Sequence, residues 1–268
     1  MADIHPTAVI ESNAQLEKDV TIGPNCYVGG GVTIGSGTIL DANVVIEKDV
    51  TIGKDNHFYP ACVIGCTPQV LGLGPDSNVG KLVIGDRNTF HEHVTIHPSR
   101  HYGSATRIGD DNFLMVGAHI GHDCTFEDKL VISNDVHIGG HCRMESGAWI
   151  GGVGAVHQFV TVGKWSFVCG LAGVTQDVPP FLIVSGHIPV RVRGVNKRGL
   201  QRAGLNQDQQ EKICRAYREL YRRGGTLLAR AQTLAQEHGL DENVKAMTDA
   251  IINSSKHRFG RYLETLRK

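Results

Sequence analysis

Every sixth residue of the first quarter of the chain is apolar: Ile4, Ile10, Leu16, Ile22, Val28, Ile34, Leu40, Ile46, Ile52, Phe58 and Ile64. The series resumes at Ile84, Phe90 and Ile96, passes Tyr102 in a loop, and runs in the same steps from Ile108 to Val174. The step of twenty residues from Ile64 to Ile84 marks an insertion at about 66–82 that shifts the phase by two. A second column, two residues ahead of the first, holds small or β-branched side chains such as Ala14, Val20, Cys26, Val44, Cys62, Ala118, Cys124 and Cys142. Ile-Gly pairs recur nine times, from Ile22-Gly23 to Ile150-Gly151, placing a permissive backbone beside the buried residue. A period of six excludes a helix at 3.6 residues per turn. It predicts a parallel β-helix in which each hexad is one short strand plus a corner and three hexads close a triangular coil.

The pattern predicts an end to the repeat near Gln176-Asp177-Val178-Pro179-Pro180, where two prolines stop strand pairing. From about Asn196 the period becomes helical: Ile213, Ala216, Tyr217 and Leu220 share one face, and Leu227, Leu228, Ala231 and Leu234 another, with Gly224-Gly225 between them. The expected organisation is therefore a mostly β chain, with a β-helix over 1–190 and an α-helical part over 191–268. Charge divides with it. Residues 1–190 carry 10 basic and 19 acidic side chains, residues 191–268 carry 17 and 8. The basic tail is either a solvated face or a dock for acidic partners such as nucleotide phosphates, a phosphopantetheine arm or an acidic carrier protein.

Over all 268 residues Lys+Arg and Asp+Glu balance at 27 each, so no net charge draws the chain to nucleic acid. Aromatics are 6% and glycines number 33, which suits a thin repetitive interior rather than a thick globular one. No apolar run is long enough to be an integral membrane segment. The opening MADIHPTAVIES has neither the basic nor the apolar stretch of a signal peptide, which points to a cytoplasmic protein. Seven cysteines without a CxxC pair argue against a disulfide framework or a zinc knuckle, and four of them lie in the small inward column.

Nine of the fourteen histidines fall between His91 and His157, and none occupies an inward column. His91, His93, His97 and His101 read as solvated surface groups. Residues eighteen apart stack in successive coils, which brings Gly121-His122-Asp123, Gly139-Gly140-His141 and His157-Gln158-Phe159 onto one edge. Gly140 then lies over His122 with its peptide N–H open, His141 lies over Asp123, and His119 flanks the turn with His137 stacked on it. A histidine beside a carboxylate, with a free backbone donor one rung away, supplies a general base, its orienter and an oxyanion donor for acyl transfer. With no serine or cysteine nucleophile in the column, direct attack on a thioester by an activated hydroxyl or amine is the economical chemistry.

The segments NFLMVGAHIGHDC (112–124), GAVHQF (154–159), QDVPP and GVNKRGLQR (194–202) make the chain similar to the UDP-N-acetylglucosamine O-acyltransferases of lipid A biosynthesis. Those enzymes belong to the hexapeptide-repeat acyltransferases, and the likeness spans nearly the whole chain. The resemblance implies a left-handed β-helix and a homotrimer with sites between neighbouring prisms. It implies transfer of an (R)-3-hydroxyacyl group from acyl carrier protein to the sugar 3-hydroxyl, with no metal and no cofactor beyond the carrier's 4'-phosphopantetheine. On that match His122 is the general base, Asp123 its orienter and Gly140 the oxyanion donor. His119, His141 and Gln158 line the substrate pocket, Gly170 sits where acyl length is set, and Asn196 and Arg202 match nucleotide- and phosphate-binding positions.

The chain also departs from the family. After Pro68-Gln69, with Gln69 matching the acceptor loop, Val70 and Gly72 replace the usual Asp and Lys within a lengthened PQVLGLGPDSNVGK. Asp76 and Lys81 are the candidates to replace them. Arg198 stands for a usual Glu, and Ala203 for an Arg. These changes leave three readings: the family's acyl transfer, a related protein with another nucleotide-sugar acceptor or no catalysis, and a zinc lyase similar to hexapeptide-repeat carbonic anhydrases.

Overall fold

The computed structural model describes residues 2–74 and 76–267. Among these residues three sheets of 11, 9 and 8 strands, parallel except for the last strand of the largest, wrap one narrow interior, and successive strands of the repeat visit them in turn. Face A begins at Asp3–Ile4, face B at Val9–Ile10 and face C at Gln15–Leu16, and most strands are two residues long. The inward series is the register itself: Ile22 pairs Leu40, and Ile120 pairs Ile138, each eighteen residues on. From Ile22 onward nearly all these side chains are sealed from solvent, whereas Ile4 is 40% exposed because no coil covers the first turn. Phe58 and Phe90 stack inside at 4.5 Å, filling the axis where smaller residues alternate elsewhere. The small column is buried too, and Cys26, Cys62, Cys124 and Cys142 are free thiols packed as small apolar groups.

The register also measures the interruptions. Ile52 pairs Ile84 and Ile64 pairs Ile96 at thirty-two residues rather than eighteen, so fourteen are looped out at 65–80. Ile96 pairs Ile120 at twenty-four, so six more are looped out at about 97–104, where the sequence shows Tyr102 off the pattern. Both loops leave from the corner between faces B and C. Corners turn on one residue with positive φ, commonly Asp or Asn, which reach that conformation at least cost among residues bearing a side chain. On the edge between B and C, the corresponding residues include Asp123, His141 and Phe159, at φ 62, 61 and 66°.

The repeat runs slightly past the double proline. Val178 makes a single bridge to Val162, Pro179-Pro180 takes the corner, and Leu182–Ser185 adds one more parallel strand to face A. Arg191–Val195 then pairs antiparallel with that strand, so the sheet continues beyond residue 190 and the first helix starts at Lys197. Helices α1 (Lys197–Arg202), α2 (Gln207–Arg222), α3 (Leu227–Ala235) and α4 (Glu242–Ser254) bury Leu200, Ile213, Leu220, Ala231 and Met247 with Phe181 and Leu182 of the β-helix. Asn206 and Gln209 form a reciprocal capping box at the start of α2. A final 3₁₀ turn, Tyr262–Leu266, returns to the prism: Tyr262 donates its N–H to Asp177 Oδ2 at 2.8 Å, and Arg261 donates to the Thr175 carbonyl at 3.0 Å.

Candidate active site

The edge between faces B and C carries the histidine column and both looped-out segments. Strand His119–Ile120 delivers the chain into the corner Gly121-His122-Asp123, and strand Thr125–Phe126 leads it away. His122 donates Nδ1–H to Asp123 Oδ2 at 2.7 Å. This fixes the tautomer: a neutral ring with the proton on Nδ1 keeps its lone pair on Nε2.

Asp123 is more tightly held than its neighbour. Its side chain is 8% exposed; Ser99 Oγ donates to Oδ1, the Arg100 N–H donates to Oδ2 at 3.3 Å, and His141 Nε2 lies 3.8 Å from Oδ2. Burial pushes the carboxyl up, but the His122 and Ser99 bonds, the His141 ring and the Arg100 amide outweigh it and hold the pKa at about 2. Asp123 is therefore a carboxylate at any working pH, and its field favours a transient imidazolium.

Gly140 packs against the His122 ring. A Cβ there would lie 2.6 Å from His122 Cε1 and 2.8 Å from Nε2, so only glycine leaves the ring in place. Among the described residues its N–H has no partner. At the equivalent position on the edge between faces C and A, the N–H groups of Lys54, Asp86 and Asp110 each bind a carboxylate of the next coil, and those of Ser36, Ser146 and Lys164 one of the coil before. The fold thus builds anion-binding amides at this rung, and the one at Gly140, the residue packed against the His122 ring, is left open. Such an amide can receive a developing oxyanion.

A cavity of about 870 Å³ opens on the face C side, lined by Asp123, His141, Gln158 and Phe159, by Arg100 and His101 from the second loop, and by Leu263, Leu266 and Arg267 from the C-terminal turn. His141 stacks on Phe159 at 4.5 Å and meets the His122 ring edge-on at 5.0 Å. His119 lies on the other side of the ridge, on face B, rather than in this cavity. Its Nδ1 is 2.9 Å from Thr95 Oγ1, and its ring is 6.2 Å from that of His137. Burial, helped by His97 and His137, lowers its pKa to about 4, so it is neutral near pH 7.

Two of the histidines read as solvated belong elsewhere. His97 is 7% exposed and donates Nδ1–H to the Cys66 carbonyl at 2.9 Å, because the first loop folds over it. His101 is exposed, yet it borders the cavity. Ser99, Arg100 and His101 escaped the sequence reading because a six-residue excursion preserves the hexad phase and looks like a missed turn. Among the described residues one group could hold a metal ion, His101, Asp123 and His141, with ligand atoms within 4.8 Å of one another. Its carboxylate already takes the His122, Ser99 and Arg100 bonds.

The remaining sequence-derived positions divide. Gln69 and Asp76 are exposed on the first loop of the same edge, and Asp76 borders a cavity with Glu47, Asp49 and Ser77. Gly170 lies on a different edge, between faces A and B, where only the Gly152 carbonyl, 3.2 Å from a built Cβ, would crowd a side chain. Asn196 and Arg202 lie on face A beside Trp149 and Phe167. The Asn196 side chain caps α1 through Gly199 N–H at 3.1 Å and donates to the Trp165 carbonyl at 2.8 Å, while the Arg202 guanidinium stacks 4.8 Å above Trp149. Within one chain these residues do not meet His122.

Comparison with known proteins gives consistent matches. Residues 177–259 match the family model described as UDP N-acetylglucosamine O-acyltransferase, domain 2, and residues 1–36 match the bacterial transferase hexapeptide (six repeats). An acyl-[acyl-carrier-protein]–UDP-N-acetylglucosamine O-acyltransferase of Paraburkholderia phymatum is 40% identical over 96% of this chain and 98% of its own length. A protein of the same description from Halorhodospira halophila is 38% identical over 96% and 98%. Among solved structures, a Francisella novicida UDP-N-acetylglucosamine acyltransferase superposes with a TM-score of 0.89 at 32% identity, covering 96% of this chain and 92% of that one. The Arabidopsis enzyme superposes with a TM-score of 0.82 at 29% identity, covering 95% and 98%.

Proposed function

The chain belongs to the UDP-N-acetylglucosamine O-acyltransferase family, and from that premise we propose that it performs the first acyl transfer of lipid A biosynthesis. An (R)-3-hydroxyacyl group passes from acyl carrier protein to the 3-hydroxyl of UDP-N-acetylglucosamine. The observation that carries the mechanism is the His122–Asp123 pair with Gly140, its amide free, packed against the His122 ring.

His122 Nε2 takes the proton of the acceptor hydroxyl as its oxygen attacks the thioester carbonyl. The tetrahedral oxygen forms its hydrogen bond with the Gly140 N–H. Collapse expels the phosphopantetheine thiolate, which recovers the proton from His122. Asp123 stabilises the imidazolium in between. The phosphopantetheine belongs to the donor, and no cofactor of the protein's own enters these steps. His141 and Gln158 border the donor and acceptor cavity, and neutral His119 offers a hydrogen bond from the far side of the ridge.

The separation of Gly170, Asn196 and Arg202 from His122 supports a homotrimer. In a closed ring built from one repeated contact, face A of one prism meets the B–C edge of the next. The Gly170 edge exposes Val153 (57%) and Leu171 (68%), an apolar strip suited to an acyl chain or a neighbouring prism. The basic helical part suits an acidic carrier protein. These substrates are met in the cytoplasm, and no helix among the described residues is long and apolar enough to cross a membrane.

Val70 and Gly72 favour one second reading, a changed preference among nucleotide-sugar acceptors. Purified protein given (R)-3-hydroxyacyl carrier protein should acylate UDP-N-acetylglucosamine. Side-by-side kcat/KM for its 3-amino analogue and other nucleotide sugars decides between the readings. Transfer to none of them overturns both.

A further inference from the structure

The segment looped out at 97–104 reaches back to the catalytic corner through one buried hydroxyl. Ser99 is 0% exposed although it lies on an excursion from the repeat. Its Oγ accepts the His101 N–H at 3.0 Å and donates to Asp123 Oδ1. Its backbone is pinned on both sides: Ser99 N–H donates to the Lys81 carbonyl at 3.2 Å, and its own carbonyl accepts the Gly80 N–H at 2.8 Å. Gly80 is part of the device. A Cβ there would lie 2.4 Å from the His101 and Ser104 carbonyls and 2.8 Å from Ser99 Cβ.

Asp123 faces two histidines with one oxygen: Oδ2 is 2.7 Å from His122 Nδ1 and 3.8 Å from His141 Nε2. A carboxylate free to rotate would divide itself between them. The Ser99 hydroxyl on Oδ1 and the Arg100 amide on Oδ2 set its plane so that the short bond goes to His122. We propose that Ser99 is a positioning residue for catalysis, acting through Asp123 to hold His122 with its proton on Nδ1. This rests on the function proposed above.

The test is a double-mutant cycle in the full-length protein, with thermal unfolding recorded for each variant. Ser99→Ala should lower kcat roughly ten-fold, the loss of one hydrogen bond to a charged group, with KM for both substrates within about two-fold. Ser99→Cys, which keeps the size and a weak donor, should fall between. In an Asp123→Ala background, Ser99→Ala should cost nothing further. Equal losses in both backgrounds, a loss confined to KM, or an unchanged kcat would overturn the proposal. An inactive parent protein would instead refute the acyl-transfer reading.

Discussion

A methyl group added at Gly140 would lie 2.6 Å from His122 Cε1 and 2.8 Å from Nε2, both well inside contact distance. The obstacle is a side-chain ring on a solvent-facing corner, so the ring moves and the backbone stays. Gly140 has no positive φ, so alanine brings no backbone strain. A displaced ring cannot keep the 2.7 Å bond to Asp123 while presenting Nε2 to the same point beside the Gly140 amide. A misplacement of about 1 Å at a reacting group costs on the order of 10²-fold in rate. Gly140→Ala should therefore lose about 10²-fold in kcat while its unfolding temperature stays near that of the parent. Gly139→Ala is the control: its Cβ would lie 2.8 Å from Gln158 N and 3.2 Å from Gln158 Cα, against backbone that cannot turn aside. That variant should lose stability first. Steady-state transfer from acyl carrier protein and thermal unfolding of both variants give the comparison. A Gly140→Ala protein with the parent's rate, or one destabilised as much as Gly139→Ala, would refute the reasoning.

Two further outcomes follow from the same geometry. The Asp123 carboxyl has a folded-state pKa of about 2 against an ordinary 3.8, so its contribution to stability is present above pH 4 and lost as pH falls toward 2, about 2 kcal/mol in all. Acid unfolding of the parent should steepen across that window, and Asp123→Ala should lack that component; parallel curves would contradict it. Light scattering should give a mass near three times the 29.1 kDa of one chain, and a stable, active monomer would rule out a site completed by the neighbour.

The hexad period made the prism legible because each inward residue touches its neighbours at a fixed spacing of eighteen. Ile22, Phe58, Ile120 and Ile150 are buried as the spacing demands. The same arithmetic stacked Gly140 on His122 and His141 on Asp123, since corner residues follow the register of the strands they join. It could not place the loops. Residues of a looped-out segment have no register partner, so the Ser99 bond to Asp123 and the burial of His97 depend on how an irregular backbone folds back. The end of the repeat was displaced for a related reason: Pro179-Pro180 interrupts pairing only at its own corner, and Leu182–Ser185 still finds face A. The bond from the Asn196 side chain to the Trp165 carbonyl was hidden because the two residues are remote in sequence.

The measurement that bears most directly on the central claim is kcat/KM for His122→Ala with (R)-3-hydroxyacyl carrier protein and UDP-N-acetylglucosamine. The ring points out of the interior and its partners are Asp123 and the His141 edge, so the variant should fold and assemble as the parent does. With the base gone, the rate should fall by on the order of 10²–10⁴, and product from the residual activity should still carry the acyl group on the 3-hydroxyl. A folded His122→Ala protein that acylates UDP-N-acetylglucosamine at the parent's rate would contradict the assignment of this corner as the site of chemistry.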